Sequence, residues 1–124
     1  MKSLTDSHVV GDARALREEE EMFLRSVLET GPNPDSLLAD LQGARVQEMN
    51  DSGMGSLRFI GSDKRRFGSI YAEVSFEDAG VSVSAALVLD RAGKLFELDV
   101  FKADGSPLRR YPSASGVRTV ERKA

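Results

Sequence analysis

The chain has 124 residues, a length that fits one domain with a hydrophobic core of its own. It contains no cysteine, which excludes disulfides, thiolate zinc sites and cysteine nucleophiles. Its 20 acidic and 17 basic residues leave a net charge of -3, which is too close to neutral to indicate nucleic-acid binding by bulk charge.

The two ends of the chain lack hydrophobic periodicity. We therefore expect a flexible leader over residues 1–15, a single domain over residues 16–112 and a flexible tail over residues 113–124. No apolar run approaches the roughly 20 residues of a membrane span, and the first residues lack the apolar core of a signal peptide. The sequence therefore predicts a cytoplasmic protein without a membrane partner.

The segment after the leader has the 3.6-residue apolar period of a helix. The acidic run from Glu18 to Glu21 favours its start, because the helix macrodipole attracts negative charge there. Gly31 suits a left-handed cap at its end. Asp35 is expected to cap a second, short helix that stops at Gly43. The apolar positions that share one side of the first helix are Leu16, Phe23, Leu24, Val27 and Leu28.

Two short apolar segments around the turn residues 50–53 predict a hairpin. Pairing Met49 with Met54 sets Val46 opposite Leu57 and keeps the apolar side chains on one face. The sequence Gly-Met-Gly-Ser at 53–56 resembles a phosphate-binding loop in composition. It lacks a third glycine and precedes a strand, so we interpret it as turn chemistry.

Three runs of alternating apolar residues between Ile70 and Lys102 predict an antiparallel meander. Tight reversals at Ala79-Gly80 and Ala92-Gly93 separate the runs, each with a glycine where positive φ is needed. We therefore expect an α+β domain in which two N-terminal helices pack on one face of a five-stranded, mainly antiparallel sheet. Strand order follows the chain by default, because patterning does not determine it.

The second face of this sheet is the predicted place for function. The two reversals align Tyr71 with Val88 and Glu97, Glu73 with Ala86 and Asp99, and Ser75 with Ser84 and Phe101. If the first hairpin joins beside the Ile70 strand, Arg58 lies near Tyr71 and Glu73. The candidate interaction surface comprises Arg58, Tyr71, Glu73, Glu97, Asp99 and Phe101. The alternative interpretation is an ordinary solvated sheet face with paired charges.

No catalytic apparatus emerges from the sequence, so we expect a non-enzymatic domain that binds a protein partner or itself. The alternative is a small-molecule-binding or weak hydrolase domain with a pocket between sheet and helices. We expect no metal and no cofactor, because the lone His8 lies in the leader. Lys64 to Arg66 and Arg109-Arg110 are short basic clusters without interleaved aromatics, so nucleic-acid binding is not favoured.

Four segments within residues 16–112 resemble a family of small uncharacterised bacterial proteins that are classified as a domain of unknown function. The resemblance implies a bacterial source and a self-contained domain, and it supplies no catalytic residues. The segments are Leu37 to Val46, Gly53 to Phe59, Leu95 to Val100 and Ser106 to Pro112.

Overall fold

The computed structural model describes residues 9–61 and 67–120. The described chain has two α-helices and one antiparallel sheet of seven strands, so the α+β class is confirmed and the predicted number of five strands is wrong. The elements in chain order are β1 (Val9–Ala15), α1 (Glu18–Glu29), α2 (Asp35–Leu41), β2 (Arg45–Met49), β3 (Leu57–Phe59), β4 (Phe67–Asp78), β5 (Val81–Asp90), β6 (Leu95–Lys102) and β7 (Arg118–Thr119).

The two additional strands lie in segments that the sequence predicts to be flexible. β1 pairs with β2 and places Val9 opposite Met49, with an irregularity between Val10 and Arg14. β7 is a two-residue strand that pairs with β4. Neither segment shows an apolar alternation, because these edge strands depend on backbone pairing with distant residues. The remaining part of the predicted leader, with His8, lies outside the described residues.

The strand order is β1-β2-β3-β6-β5-β4-β7. β3 therefore pairs with β6, and the default arrangement that joined the first hairpin beside β4 is wrong. In the observed register Leu57 lies opposite Leu98, and Arg58 lies opposite Glu97. This long-range pairing makes β6 an interior strand between β3 and β5, and it decides which polar side chains share a surface.

The meander β4-β5-β6 largely follows the predicted registers. Glu77 lies opposite Ser82, and Val88 lies opposite Glu97. The first reversal has φ of 53° at Ala79 and 81° at Gly80, as a two-residue hairpin turn with both central residues left-handed requires. Local turn chemistry is therefore sufficient to set these pairings.

The β2-β3 hairpin is offset from its predicted register. Val46 lies opposite Phe59 instead of Leu57, so the connection is longer than a tight turn. Asp51 closes this loop, because its carboxylate accepts the backbone N–H groups of Met54 at 3.1 Å and Ser56 at 2.9 Å. A shift of two residues preserves the face on which each side chain lies, so the apolar face is unchanged.

Both helices occupy the predicted segments, but their ends differ in detail. Gly31 is not left-handed. A Cβ at this position would overlap the ring of Tyr71, so the glycine permits close packing. Asp35 is the first residue of α2, and its side chain makes no capping hydrogen bond. Gly43, at φ 73°, follows the helix as expected.

The core lies between the helices and one sheet face, which we call the inner face. Phe23 of α1 packs edge-on against Phe76, with ring centroids 5.4 Å apart, and lies 5.1 Å from the Tyr111 ring. Leu87 and Leu98 are fully buried beneath the helices. The opposite face of the sheet, called the outer face, carries the alternate residues of each strand.

Candidate functional site

The meander positions four of the predicted site residues on the outer face, namely Glu73, Glu97, Asp99 and Phe101. Asp99 lies opposite Ala86, which in turn lies opposite Glu73. Phe101 lies opposite Ser84 and is 57% exposed. The small side chains of β5 leave this part of the sheet accessible.

Arg58 reaches the same surface by a route that the sequence does not predict. Because β3 pairs with β6, its guanidinium forms an ion pair with Glu97 instead of lying near Tyr71 and Glu73. The guanidinium also lies 5.2 Å from the centroid of the Phe96 ring, which is within cation–π range. The structure therefore places Arg58 on the outer face, but the prediction that it lies near Tyr71 and Glu73 is wrong.

Two carboxylates that follow each other on the outer face of β6 interact unfavourably. Burial raises the pKa of Asp99 above its ordinary value, and the negative charge of Glu97 raises it further. Arg58 partly offsets these effects. Asp99 thus has no strong cationic partner of its own, and this end of the surface is acidic.

Tyr71 does not join this surface. The β4-β5 register shifts between Ile70 and Ala72, so Ile70 rather than Tyr71 lies opposite Val88. The Tyr71 hydroxyl lies 2.7 Å from the carbonyl oxygen of Pro32 and 3.1 Å from that of Leu28. Burial raises the pKa of Tyr71. A bulge turns the ring toward the end of α1, where it has a structural role.

We therefore define the outer-face patch as the predicted surface without Tyr71. It contains Arg58, Glu73, Glu97, Asp99 and Phe101.

A second site, which the sequence analysis does not predict, is a half-open cleft of about 340 Å³. It lies where β1, the start of α1, the β2-β3 loop and residues 108–111 meet. One wall is a charged cluster around Glu20, which is 3% exposed. Arg14 donates to its carboxylate oxygens at 2.8 and 2.9 Å, and the Arg17 N–H donates at 2.8 Å.

These contacts determine the ionisation of the Glu20 cluster. Burial alone raises the pKa of Glu20, but the hydrogen bonds from Arg14 and Arg17 outweigh it and leave the pKa below its ordinary value. The hydrogen bonds that Arg14 donates to Glu20 raise the pKa of Arg14. Glu48 completes the cluster, with an oxygen 3.2 Å from Arg14. The Arg17 guanidinium lies 3.8 Å from a Glu20 oxygen and 3.7 Å from a Glu48 oxygen, so two guanidinium groups balance the two carboxylates of the cluster.

The opposite wall of the cleft is the β2-β3 loop. Ser52, Gly53 and Gly55 have left-handed φ values of 63°, 81° and 107°. Tyr111 donates its hydroxyl to the Gly55 carbonyl oxygen at 2.7 Å. The Leu108 N–H donates to the Gly53 carbonyl oxygen at 2.9 Å, so residues after β6 hold the loop in place.

A buried ion pair holds the chain segment that completes the cleft. Lys102 Nζ lies 2.9 Å from Asp78 Oδ2, which also accepts the Arg109 N–H at 2.6 Å. Burial alone raises the pKa of Asp78, but these donors lower it below its ordinary value. Residues 107–111 are thereby fixed against the end of the sheet. The basic pair Arg109 and Arg110 lines the cleft as a result.

Sequence signals for the cleft exist but are weak on their own. The glycines at 53 and 55 and the pair Arg109-Arg110 are visible in the sequence, yet about 50 residues separate them. Their proximity depends on long-range contacts. The basic cluster at 64–66 lies outside the described residues.

Two general properties of the described residues complete this description. No helix in residues 9–61 and 67–120 is long and apolar enough to cross a membrane. Within the same residues, no group of three or more His, Cys, Asp or Glu side chains is placed to hold a metal ion.

The fold and the two sites define a small α+β domain with an exposed sheet face and a cleft at one end. The chain belongs to the family described as Domain of unknown function (DUF6984), which matches residues 13–112. The resemblance noted from the sequence is thus confirmed, whereas a bacterial source stays a prediction. Comparison with curated proteins found no match, and neither did comparison with solved structures.

Proposed function

We propose that this chain is a non-enzymatic protein-binding domain that uses the outer-face patch to bind a basic surface on another protein. The cytoplasmic location predicted from the sequence is part of this proposal. The observation that carries it is an exposed phenylalanine beside carboxylates on an accessible sheet face. Aromatic side chains commonly anchor protein interfaces, and a polar rim surrounds them.

Phe101 supplies the apolar part of the surface. It is 57% exposed, and its neighbour across the strand pair, Ser84, is also exposed. Small neighbours allow a partner side chain to approach the ring and the backbone of β5. Burying most of such a ring on binding contributes on the order of 1–2 kcal/mol at about 25 cal/mol per Å².

The charges of the outer face favour a basic partner. Arg58 is already paired with Glu97 and compensates the charge of Asp99 only in part. A second arginine, Arg118, lies opposite Ser75 in the β4-β7 pairing. The carboxylates that lie on β4 and β6 of this face are Glu73, Glu77, Glu97 and Asp99. The excess of carboxylates disfavours nucleic acid, and face-to-face self-association would bring like charges together.

A matched pair of phenylalanines tests the proposal. Phe67 and Phe101 are both 57% exposed, but Phe67 lies at the start of β4, opposite Asp90 and away from Ser84. Quantitative pull-down from lysate of the source organism is compared for wild type, Phe101→Ala and Phe67→Ala. We expect a partner with a basic surface whose recovery falls about tenfold with Phe101→Ala and is unchanged with Phe67→Ala.

The recovered partner is then titrated against purified wild type and Asp99→Asn at two salt concentrations. We expect weaker binding at high salt and a smaller salt dependence for Asp99→Asn. Identical partner profiles for the two phenylalanine variants, with folding intact, would refute the proposal. A dimer that is lost with Phe101→Ala in sedimentation experiments would assign the face to self-association instead.

The second candidate, small-molecule binding in a pocket between sheet and helices, is supported by the cleft. Hydrolysis is less well supported, because a general base needs an available carboxylate or imidazole. In the cleft, the Glu20 carboxylate is held by Arg14, and Asp51 is held by backbone N–H groups. Glu19 is the loosely held carboxylate of the lining, and the described residues contain no imidazole to act with it. We therefore retain the binding part of this alternative.

A further inference from the structure

We propose that the cleft binds a small organic anion through the guanidinium groups of Arg109 and Arg110. This site is separate from the outer-face patch. We infer the class of ligand by comparing the charged side chains of the cleft that already have a partner in the protein with those that have none.

Most carboxylates of the cleft are engaged within the protein. Glu20 accepts two hydrogen bonds from Arg14, and Glu48 approaches the same guanidinium at 3.2 Å. Asp51 accepts the N–H groups of Met54 and Ser56. Arg14 and Arg17 balance the charges of Glu20 and Glu48. Asp51 keeps its negative charge, although backbone donors occupy both of its carboxylate oxygens.

The unsatisfied groups of the cleft are mainly cationic. Arg109 and Arg110 are exposed, and neither forms an ion pair with another residue of the described ranges. Arg17 is 60% exposed, and its nearest carboxylate oxygens lie at 3.7 and 3.8 Å. Glu19 also lines the cleft and opposes this charge from the α1 side. Arg109 and Arg110 are therefore the two guanidinium groups of the cleft that have no ion-pair partner in the described residues.

Backbone donors strengthen the case for an anion. In the described part of the chain, the N–H groups of Gly53 and Gly55 donate to no protein acceptor, and both residues line the cleft. Left-handed φ values at these glycines place their peptide groups in a turn, the setting in which backbone N–H groups commonly hold anions.

The size and walls of the cleft restrict the ligand further. A volume of about 340 Å³ is near the lower end for small-molecule sites. Val10 and Leu108 supply apolar wall area. A guanidinium fork matches the two oxygens of a carboxylate or phosphate group. The ligand is therefore a small molecule with at least one such group and a short apolar portion.

Amide NMR titration tests this inference on the intact chain. Succinate and inorganic phosphate are added separately at ionic strength held constant with NaCl. We expect saturable shifts at the amides of Gly53 and Gly55 with at least one of them. Saturation with succinate alone assigns the site to carboxylates, and saturation with phosphate alone assigns it to phosphate-bearing ligands.

Two double variants separate the site from general electrostatic attraction. Arg109→Gln with Arg110→Gln should weaken binding about tenfold or more, because charge-assisted hydrogen bonds are lost. The backbone bond from Arg109 to Asp78 does not involve the altered side chain, so the fold is retained. Arg91→Gln with Arg118→Gln removes two exposed arginines elsewhere and should change the affinity less than twofold.

Shifts that rise linearly without saturation, or equal affinities for wild type and the Arg109/Arg110 variant, would overturn the inference. If that double variant is less stable than wild type, Arg110→Gln and Arg110→Lys are compared instead. Retained affinity in Arg110→Lys and loss in Arg110→Gln would support a charge contact. Neither result depends on Phe101, so failure here leaves the protein-binding proposal unaffected.

Discussion

The buried ion pair between Lys102 and Asp78 allows a quantitative prediction about stability. Its side chains are 3% and 5% exposed, and the charged atoms lie 2.9 Å apart. Lys102 Nζ also donates to the Pro107 carbonyl oxygen at 3.1 Å, and Asp78 accepts the Arg109 N–H. The pair therefore connects β6 and the β4-β5 turn to the segment that lines the cleft.

Lys102→Met removes the charge and preserves most of the side-chain volume. At 2.9 Å the attraction is about 6 kcal/mol for an effective dielectric constant of about 20, and desolvation of both groups cancels much of it. Removing one partner of a buried pair costs about 3–5 kcal/mol, because the other charge is left without compensation. The Arg109 N–H still binds Asp78, so we expect a loss of about 3 kcal/mol.

Urea denaturation followed by far-ultraviolet circular dichroism measures this loss, since the chain has no tryptophan for fluorescence. Asp78→Asn combined with Lys102→Met leaves no buried charge and retains a side-chain oxygen for the Arg109 N–H. We expect this double variant to be at least about 1 kcal/mol more stable than Lys102→Met alone. A Lys102→Met variant whose stability lies within about 1 kcal/mol of wild type would refute the reasoning.

The pH dependence provides an independent check. In wild type the folded-state pKa of Asp78 lies below its ordinary value, so the stabilisation is present above pH of about 4 and is lost as the pH falls through the folded-state pKa. In Lys102→Met, the pKa of Asp78 rises, because burial still raises it while one of the donors that lower it has been removed. The difference in stability between wild type and Lys102→Met should therefore narrow on acidification.

Two further predictions concern Glu20 and Tyr71. Glu20→Gln should lower the free energy of unfolding by about 1–3 kcal/mol at pH 7 and should reduce the further loss of stability below pH of about 4. The pKa of Glu20 is lowered in the folded state, so its contribution is present at neutral pH and is lost in acid. Acid unfolding curves that coincide after normalisation would contradict this prediction. Tyr71→Phe should cost about 1 kcal/mol in urea denaturation through loss of the hydroxyl contact with the α1 end. An unchanged midpoint would instead be expected if Tyr71 lay on the outer face.

Features that depend on near neighbours in the chain follow directly from the sequence. The turn at Ala79-Gly80 requires left-handed residues, and the alternation on either side then sets Glu77 against Ser82. The same reasoning places Asp99 against Ala86. Four of the six predicted surface residues therefore lie where hairpin registers put them.

Features that depend on distant residues required the tertiary structure. The pairing of β3 with β6 brings Arg58 to Glu97, across nearly 40 residues, and no local pattern encodes that choice. The bulge near Tyr71 depends on the space that Gly31 leaves beside the ring. Edge strands such as β1 lack an apolar alternation, because backbone pairing rather than side-chain burial supports them.

The amino-acid sequence by itself determined the class of fold, both helices and the meander, since each depends on period, capping and turn residues within a short span. Tertiary structure alone decided the strand order, the position of Tyr71 and the existence of the cleft. The cleft combines Glu20, Gly53 and Arg109, which come from three separate parts of the chain. Such a site exists only after long-range contacts bring its walls together, because no single segment contains both the cations and the loop that faces them.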